Sequence, residues 1–251
     1  MADDRQIDGV HEMVIVEGPQ AVSFLDGLLS QDLSTLQSTK PVRSFLLSPQ
    51  GKLRALLWIS GEGERVAVVT DTGWGKRVAD DLLHYKIRVK ATISGPVPVT
   101  TIVGPDLAYQ FLPSGSSPER EGGRELPALS HDQWNALRIE AGEPVMGIDV
   151  DESTIPQETG LVDQAVSLSK GCFLGQELVA RLDSRNGRVN RHLRRVRLDR
   201  LPSVPAAVAD EGGYITSAAA TADGAIGLGL LHRRINPGDE IKVDGIGAIV
   251  L

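Results

Sequence analysis

The chain predicts an α+β protein, with helices and strands mixed through residues 1–190 and strands alone after that. Three observations carry this expectation. Two apolar runs, Val42–Ser48 and Leu53–Ser60, flank Pro49-Gln-Gly-Lys52, the pattern of an antiparallel hairpin. Two stretches, Trp74–Arg88 and Trp134–Ala141, place apolar residues at the three- and four-residue spacing of an amphipathic helix. Near the C-terminus, Asp223-Gly224, Pro237-Gly238 and Asp244-Gly245 separate short apolar runs, which is the spacing of a small barrel or sandwich.

In chain order, Val10–Val16 has the apolar content of a strand. Gly18-Pro19 opens a helix with Ala21, Leu25, Leu28 and Leu29 on one face, ending before Ser30. After the hairpin, Gly61–Arg65 is a tight turn; it lacks the third glycine and following helix of a dinucleotide fingerprint. Strand Val66–Thr70 leads to the helix Trp74–Arg88, whose inner face is Val78, Leu82 and Tyr85. Short strands at Val89–Ile93 and Pro98–Val103 and a helix at Pro105–Phe111 are expected next, then a polar Pro/Gly/Ser-rich surface loop over 113–127. Trp134–Ala141 closes on Gly142 as a C-terminal cap. A short helix is expected at Gln176–Leu182 and an Asn-Gly turn at Asn186-Gly187. Extended chain is expected at Val189–Leu198 and a loop at Leu201–Gly213. Strands at Tyr214–Ala218, Ile226–Leu231 and within Glu240–Val250 complete the reading.

Composition narrows the function classes. A hydrophobic share of 41% and a charged share of 24% are those of a soluble globular chain. The polar, acidic start Met-Ala-Asp-Asp-Arg-Gln does not read as a signal peptide, and no apolar run nears the ~18 residues of a membrane span. A cytoplasmic location without membrane contact is therefore expected. One cysteine permits no internal disulfide, and five scattered histidines suggest no protein-held metal. Net charge is −7, yet residues 181–200 hold eight arginines and two aspartates, a local +6 that leaves −13 elsewhere. That pattern suggests a localised anion site and no direct nucleic-acid contact; its bland counterpart is a solvated, salt-bridged strand pair. Arginine without lysine favours bidentate contact with carboxylate or phosphate.

The stretch Lys170-Gly-Cys-Phe-Leu-Gly-Gln-Glu177 holds the lone cysteine between two glycines, ahead of a helix start and two residues from an ammonium. Such a setting favours thiolate at Cys172. The alternative is a small buried hydrophobe. Lys170 would lower the thiol pKa, bind an anion or merely be solvated.

These eight residues resemble the signature of YgfZ-type folate-binding proteins, relatives of the aminomethyltransferase of the glycine cleavage system. Leu137-Arg-Ile-Glu-Ala-Gly-Glu-Pro-Val-Met-Gly-Ile-Asp149, Ile155-Pro-Gln-Glu158, Asn186-Gly-Arg-Val189 and Ile215-Thr-Ser-Ala218 extend the resemblance. It implies two α/β subdomains around a central opening that receives folate, plus a small C-terminal β-barrel. Residues 1–46 with 128–190 would form the first subdomain, 47–127 the insertion and 191–251 the barrel, with the arginine-rich segment at the seam. The implied function is a tetrahydrofolate-binding accessory protein supporting iron–sulfur enzymes, tRNA-modifying ones included, with those enzymes or their assembly proteins as partners. Two other classes compete: a folate-dependent aminomethyl- or methyltransferase, and a binding module without chemistry. Against the transferase, Ala55 and Leu56 stand where the resemblance places a catalytic aspartate, and amine chemistry beside a folate nitrogen needs a carboxylate. No classical turnover is expected, and any chemistry present would be one-carbon transfer. Glu158 matches the glutamate that holds the pterin ring, although its residue type alone reads as a surface loop acid. Lys170, Arg181, Arg188 and Arg191 are candidates to meet folate and its anionic tail. Cys172, the candidate catalytic residue, would donate one cluster ligand, sense redox state or react with a folate-borne carbon; these stay open.

Overall fold

The computed structural model describes residues 4–114, 126–184 and 188–251. The expected Asn186-Gly187 turn and most of the Pro/Gly/Ser-rich loop lie outside the described residues. The chain forms two compact units that interleave: residues 1–129 with 162–180, and 130–161 with 181–251. Segment 130–161, which the resemblance grouped with the N-terminal part, therefore packs with the C-terminal strands.

The first unit is built on one antiparallel sheet. Its strands are β1 (Arg5–Glu17), β2 (Val42–Leu47), β3 (Leu53–Glu62), β4 (Arg65–Asp71), β5 (Thr92–Val103) and β6 (Tyr109–Pro113), in the order β2-β3-β4-β1-β5-β6. Two helices, α1 (Ala21–Asp26) and α2 (Gly75–Tyr85), cover one face. The period-two pattern explains which face. Val14 and Val16 of β1, Ala55, Leu57 and Ile59 of β3, and Val66 and Val68 of β4 share a core with Leu25 and Leu82 of the helices. The alternate residues, among them His11 and Trp58, stack with Tyr109 and Phe111 on the other face.

The second unit holds α3 (His131–Ala141) and seven strands: β7 (Arg191–Leu198), β8 (Ala206–Val208), β9 (Gly213–Ile215), β10 (Ser217–Thr221), β11 (Gly224–His232), β12 (Glu240–Val243) and β13 (Ile246–Val250). The pairing runs β11-β7-β13-β12-β8-β9, and Leu231 opposite Gly213 returns it to β11. This is a closed six-stranded barrel, as the turn spacing implied, with β10 as an extra hairpin arm. Val196, Leu198, Ile215, Leu231, Val243 and Val250 fill it. Outside, Ile139 of α3 packs on Ala219, Ile226 and Leu228. Ser130 caps α3 through a reciprocal pair with Gln133, and Gly142 ends it at φ +76°. Between α3 and the barrel, Arg138, 3% exposed, bonds Asp149 at 2.7 Å and Ser217 Oγ at 2.6 Å.

Several expectations change at this level. Pro105–Phe111 is not a helix: a 3-10 turn at Pro105–Leu107 gives way to β6, because Tyr109 and Phe111 alternate into the aromatic face while pairing with β5. The two short strands expected at 89–103 are one, β5, whose register against β1 shifts twice and so hides the periodicity. The first helix stops at Asp26, leaving Leu28 and Leu29 in the turn beyond it. The long helix covers Gly75–Tyr85 only. The loop at 201–213 contains β8, too short to show alternation. The last two short helices are α4 (Val162–Ala165) and α5 (Gln176–Asp183). No helix among the described residues is long and apolar enough to cross a membrane.

Candidate functional site

The Lys170–Glu177 stretch is anchored at both ends in the first unit and exposed in between. Lys170 Nζ is held by four oxygens: Asp26 O at 2.6 Å, Asp26 Oδ1 at 2.8 Å, Gln31 O at 2.8 Å and Leu29 O at 3.1 Å. Its side chain is only 3% exposed. The ammonium thus satisfies the open carbonyls beyond the end of α1, where a cation also meets the negative pole of the helix. The sequence leaves it acting on the thiol, binding an anion or merely solvated; its donors are instead committed to the loop at 26–31. At the other end, the Phe173 N–H donates to Gln176 Oε1 at 2.9 Å, and Phe173 is buried. Cys172, between them, is a free and exposed thiol. Burial as a small hydrophobe is therefore ruled out.

Gly175 (φ +75°) locks this loop against the hairpin turn. A Cβ on Gly175 would strike the Ser48 carbonyl, and one on Gly51 (φ +78°) would lie 2.7 Å from Leu178 Cβ and 2.9 Å from Gly175 O. Neither position has room for a side chain or a backbone suited to one. Gly175 of the motif and Gly51 of the Pro49–Lys52 turn form one contact, which spacing in sequence does not reveal.

The other predicted residues fall in the second unit. Glu158, 5% exposed, ends a 3-10 turn at Pro156–Glu158 and accepts from the Ile155 N–H at 3.1 Å. Arg191, at the start of β7, grips it with Nε on Oε1 at 3.0 Å and Nη2 on Oε2 at 3.1 Å. That pairing holds the Arg191 pKa above its ordinary value, chiefly through the hydrogen bonds it donates to Glu158. The two residues expected to meet opposite ends of a ligand thus meet each other. Arg181 is exposed in the last turn of α5, and Arg188 is exposed just before β7.

A site that the motif reading missed lies on the aromatic face of the first sheet. A cavity of about 490 Å³ is lined by Trp58, Tyr109, Arg43, Lys40, Gln31 and Gln164, among others. The Arg43 guanidinium sits 4.8 Å above the Trp58 ring. Burial pushes its pKa down, opposed by the charges of Tyr109 and Asp71. Beneath it, His11 is 1% exposed, with Nδ1 2.8 Å from Thr101 Oγ. Burial first, and then the Arg43 charge, push the His11 pKa down to about 3, so the imidazole is neutral. Arg43 opposite Trp58 in the β2–β3 ladder was the available sequence signal, once the hairpin register is known. On the same hairpin, Ala55 and Leu56 are 0% and 1% exposed and bring no carboxylate.

The fold has a solved counterpart. The chain superimposes on glycine cleavage system aminomethyltransferase T from Bartonella henselae with a TM-score of 0.79, over 99% of this chain and 85% of that one, at 18% identity. It therefore has the aminomethyltransferase-like α+β fold with its C-terminal barrel. In sequence it is 27% identical over 205 residues to the tRNA-modifying protein YgfZ of Pectobacterium carotovorum, covering 65% of this chain and 61% of that protein. Over 210 residues it is 27% identical to the tRNA-modifying protein YgfZ of Yersinia pseudotuberculosis, with 67% and 63% covered. The match thus spans less than two thirds of the length of these relatives. No family model matches the chain. The resemblance to YgfZ-type proteins is borne out by these relatives, and the fold matches that of an aminomethyltransferase.

Proposed function

We propose that this protein binds a reduced folate and uses Cys172 to support iron–sulfur enzymes, tRNA-modifying ones included, without glycine-cleavage turnover. One contrast carries the reading. The motif has an exposed thiol on a loop pinned at both ends, while the hairpin beside it has no carboxylate at positions 55 and 56. A transferase without its acid has no means of moving the amine proton. A thiol that is held out to solvent remains available to a partner or to a folate-borne carbon.

The cavity on the aromatic face supports the folate half of the proposal. Trp58 and Tyr109 give a flat ring surfaces to stack on, and Arg43 gives it a charge-assisted donor. Glu158, in the second unit, is a separate candidate for the pterin ring, whose donors would share its oxygens with Arg191. A calorimetric titration with tetrahydrofolate tests the reading. Saturable binding weakened about tenfold or more by Arg43→Ala is expected, the scale of one hydrogen bond to a charged group, and Glu158→Ala tests the separate candidate in the same way. Heat indistinguishable from dilution at near-millimolar ligand would sink the proposal.

A further inference from the structure

Closing the barrel brings together cations that lie far apart in the sequence. Arg191 stands opposite His232 in the β7–β11 ladder, and the Arg233 N–H donates to Asn190 O at 2.8 Å. Arg188, Arg233 and Arg234 are all exposed, and among the described residues none of the three has an ion-pair partner. Leu231 stands opposite Gly213, which sets Tyr214 on the adjoining strand of the same wall. Tyr214 is 59% exposed, a ring held in water instead of in a core. With Arg191 it lines a cleft of about 310 Å³ whose other walls include Ile148, Asp151, Thr154 and Thr216. Six acids temper the charge: Glu158 pairs with Arg191, Asp149 and Asp151 stand in the cleft with Asp149 bonded to Arg138, and Asp199, Asp210 and Glu240 line a second hollow with Arg234 and Lys242. Arg188 and Arg233 lie outside both hollows.

We propose that this face of the barrel binds single-stranded RNA, with one unstacked base in the cleft against Tyr214 and the flanking phosphates on Arg188, Arg233 and Arg234. The arginine-rich segment alone argued for a local anion site and no nucleic acid. Arg233, Arg234 and the exposed tyrosine enlarge that site into a platform and a cationic rim. Stacking on an aromatic ring beside arginines is how proteins hold unpaired nucleotides, whereas an acidic peptide has no ring for Tyr214 to meet. Guanidinium forks suit phosphate geometry. Asp151 has Oδ1 engaged by the Ser153 N–H at 2.8 Å and hydroxyl at 2.6 Å, which leaves Oδ2 to accept from a base amino group.

Fluorescence anisotropy with a labelled single-stranded RNA of about ten nucleotides tests this, near the site size of one small barrel. In about 0.1 M salt the double variant Arg233→Glu/Arg234→Glu should bind at least about tenfold more weakly, with a shallower salt dependence. Tyr214→Ala should lose about five- to tenfold with the salt dependence kept, because stacking releases no counterions. An RNA duplex, and oligoglutamate of matched charge, should both bind about tenfold more weakly than the single strand, since neither presents an unstacked base. These substitutions are on the surface, so unchanged thermal melts separate lost binding from lost folding; if the Glu pair melts early, Arg233→Gln/Arg234→Gln gives the same comparison. No RNA binding by the wild type, Tyr214→Ala binding like the wild type, or oligoglutamate binding as tightly as RNA would each overturn the proposal.

Discussion

Lys170 and Cys172 stand two positions apart and have opposite fates, which makes their roles separable. Removing the ammonium by Lys170→Met leaves the carbonyls of Asp26, Leu29 and Gln31 without their shared donor. A loss of about 2–4 kcal/mol in urea unfolding is expected, the scale of a broken buried charge pair. Cys172→Ala touches no core, so its stability should stay within about 0.5 kcal/mol of wild type. The native thiol should alkylate nearly as fast as in urea, and the Ala variant should fail to support iron–sulfur enzyme activity in cells. A protected thiol or full complementation by the Ala variant would contradict the proposed role. His11 gives a pH signature. Its folded pKa, about 3, lies below the ordinary 6.5, so the unfolded chain takes up a proton that the folded chain refuses. Stability is therefore full above pH ~6.5 and falls as pH drops toward 3, by about 2 kcal/mol at pH ~5. His192, also depressed by burial, adds in the same direction. His11→Phe should flatten the slope of unfolding free energy between neutral pH and pH ~5; an unchanged slope would mean that the imidazole is not the source.

Among the elements, the hairpin turn and the motif loop act as a pair through Gly51 and Gly175. Either glycine changed to Ala forces a Cβ into backbone across the contact. Each change should cost about 1–3 kcal/mol, the range of overpacking, and the double variant should cost less than the sum because one displacement relieves both. Denaturant unfolding of the three variants reads this directly, and simple additivity would show that the two contacts are separate. How legible the elements were depends on the same distinction between local and distant causes. The hairpin, α3 and the barrel turns are written in local chemistry: Pro-Gln-Gly, Gly142 and three Gly turns. The continuous β5 and the strand β6 were not, because their placement depends on pairing with β1 and on aromatic packing that only the folded sheet supplies. The site divides likewise. The exposed thiol followed from its motif, whereas Lys170's burial and the Glu158–Arg191 pair needed partners distant in the chain. Arg43 above Trp58 depended on a register that the turn at 49–52 does not state by itself.

At the scale of the whole molecule, the chain has an aminomethyltransferase-like fold, and positions 55 and 56, where the resemblance places a catalytic acid, are part of the packing. Ala55 belongs to the core beneath the helices, and Leu56, 1% exposed, lends its carbonyl to the Thr70 hydroxyl at 3.0 Å. Restoring a carboxylate at either place would bury a charge with no partner provided, raising its pKa and costing several kcal/mol. Ala55→Asp and Leu56→Asp should therefore lower the melting temperature without creating activity. An assay with tetrahydrofolate and the aminomethyl-loaded carrier protein should give no product from the wild type or from either variant. Product from the wild type would mean that another residue supplies the proton transfer. Product from Leu56→Asp alone would show instead that the site still accepts its substrate and that loss of one carboxylate separates the two functions. The expected silence of all three, together with retained tetrahydrofolate binding by the wild type, would mark a scaffold in which ligand recognition has outlived the chemistry.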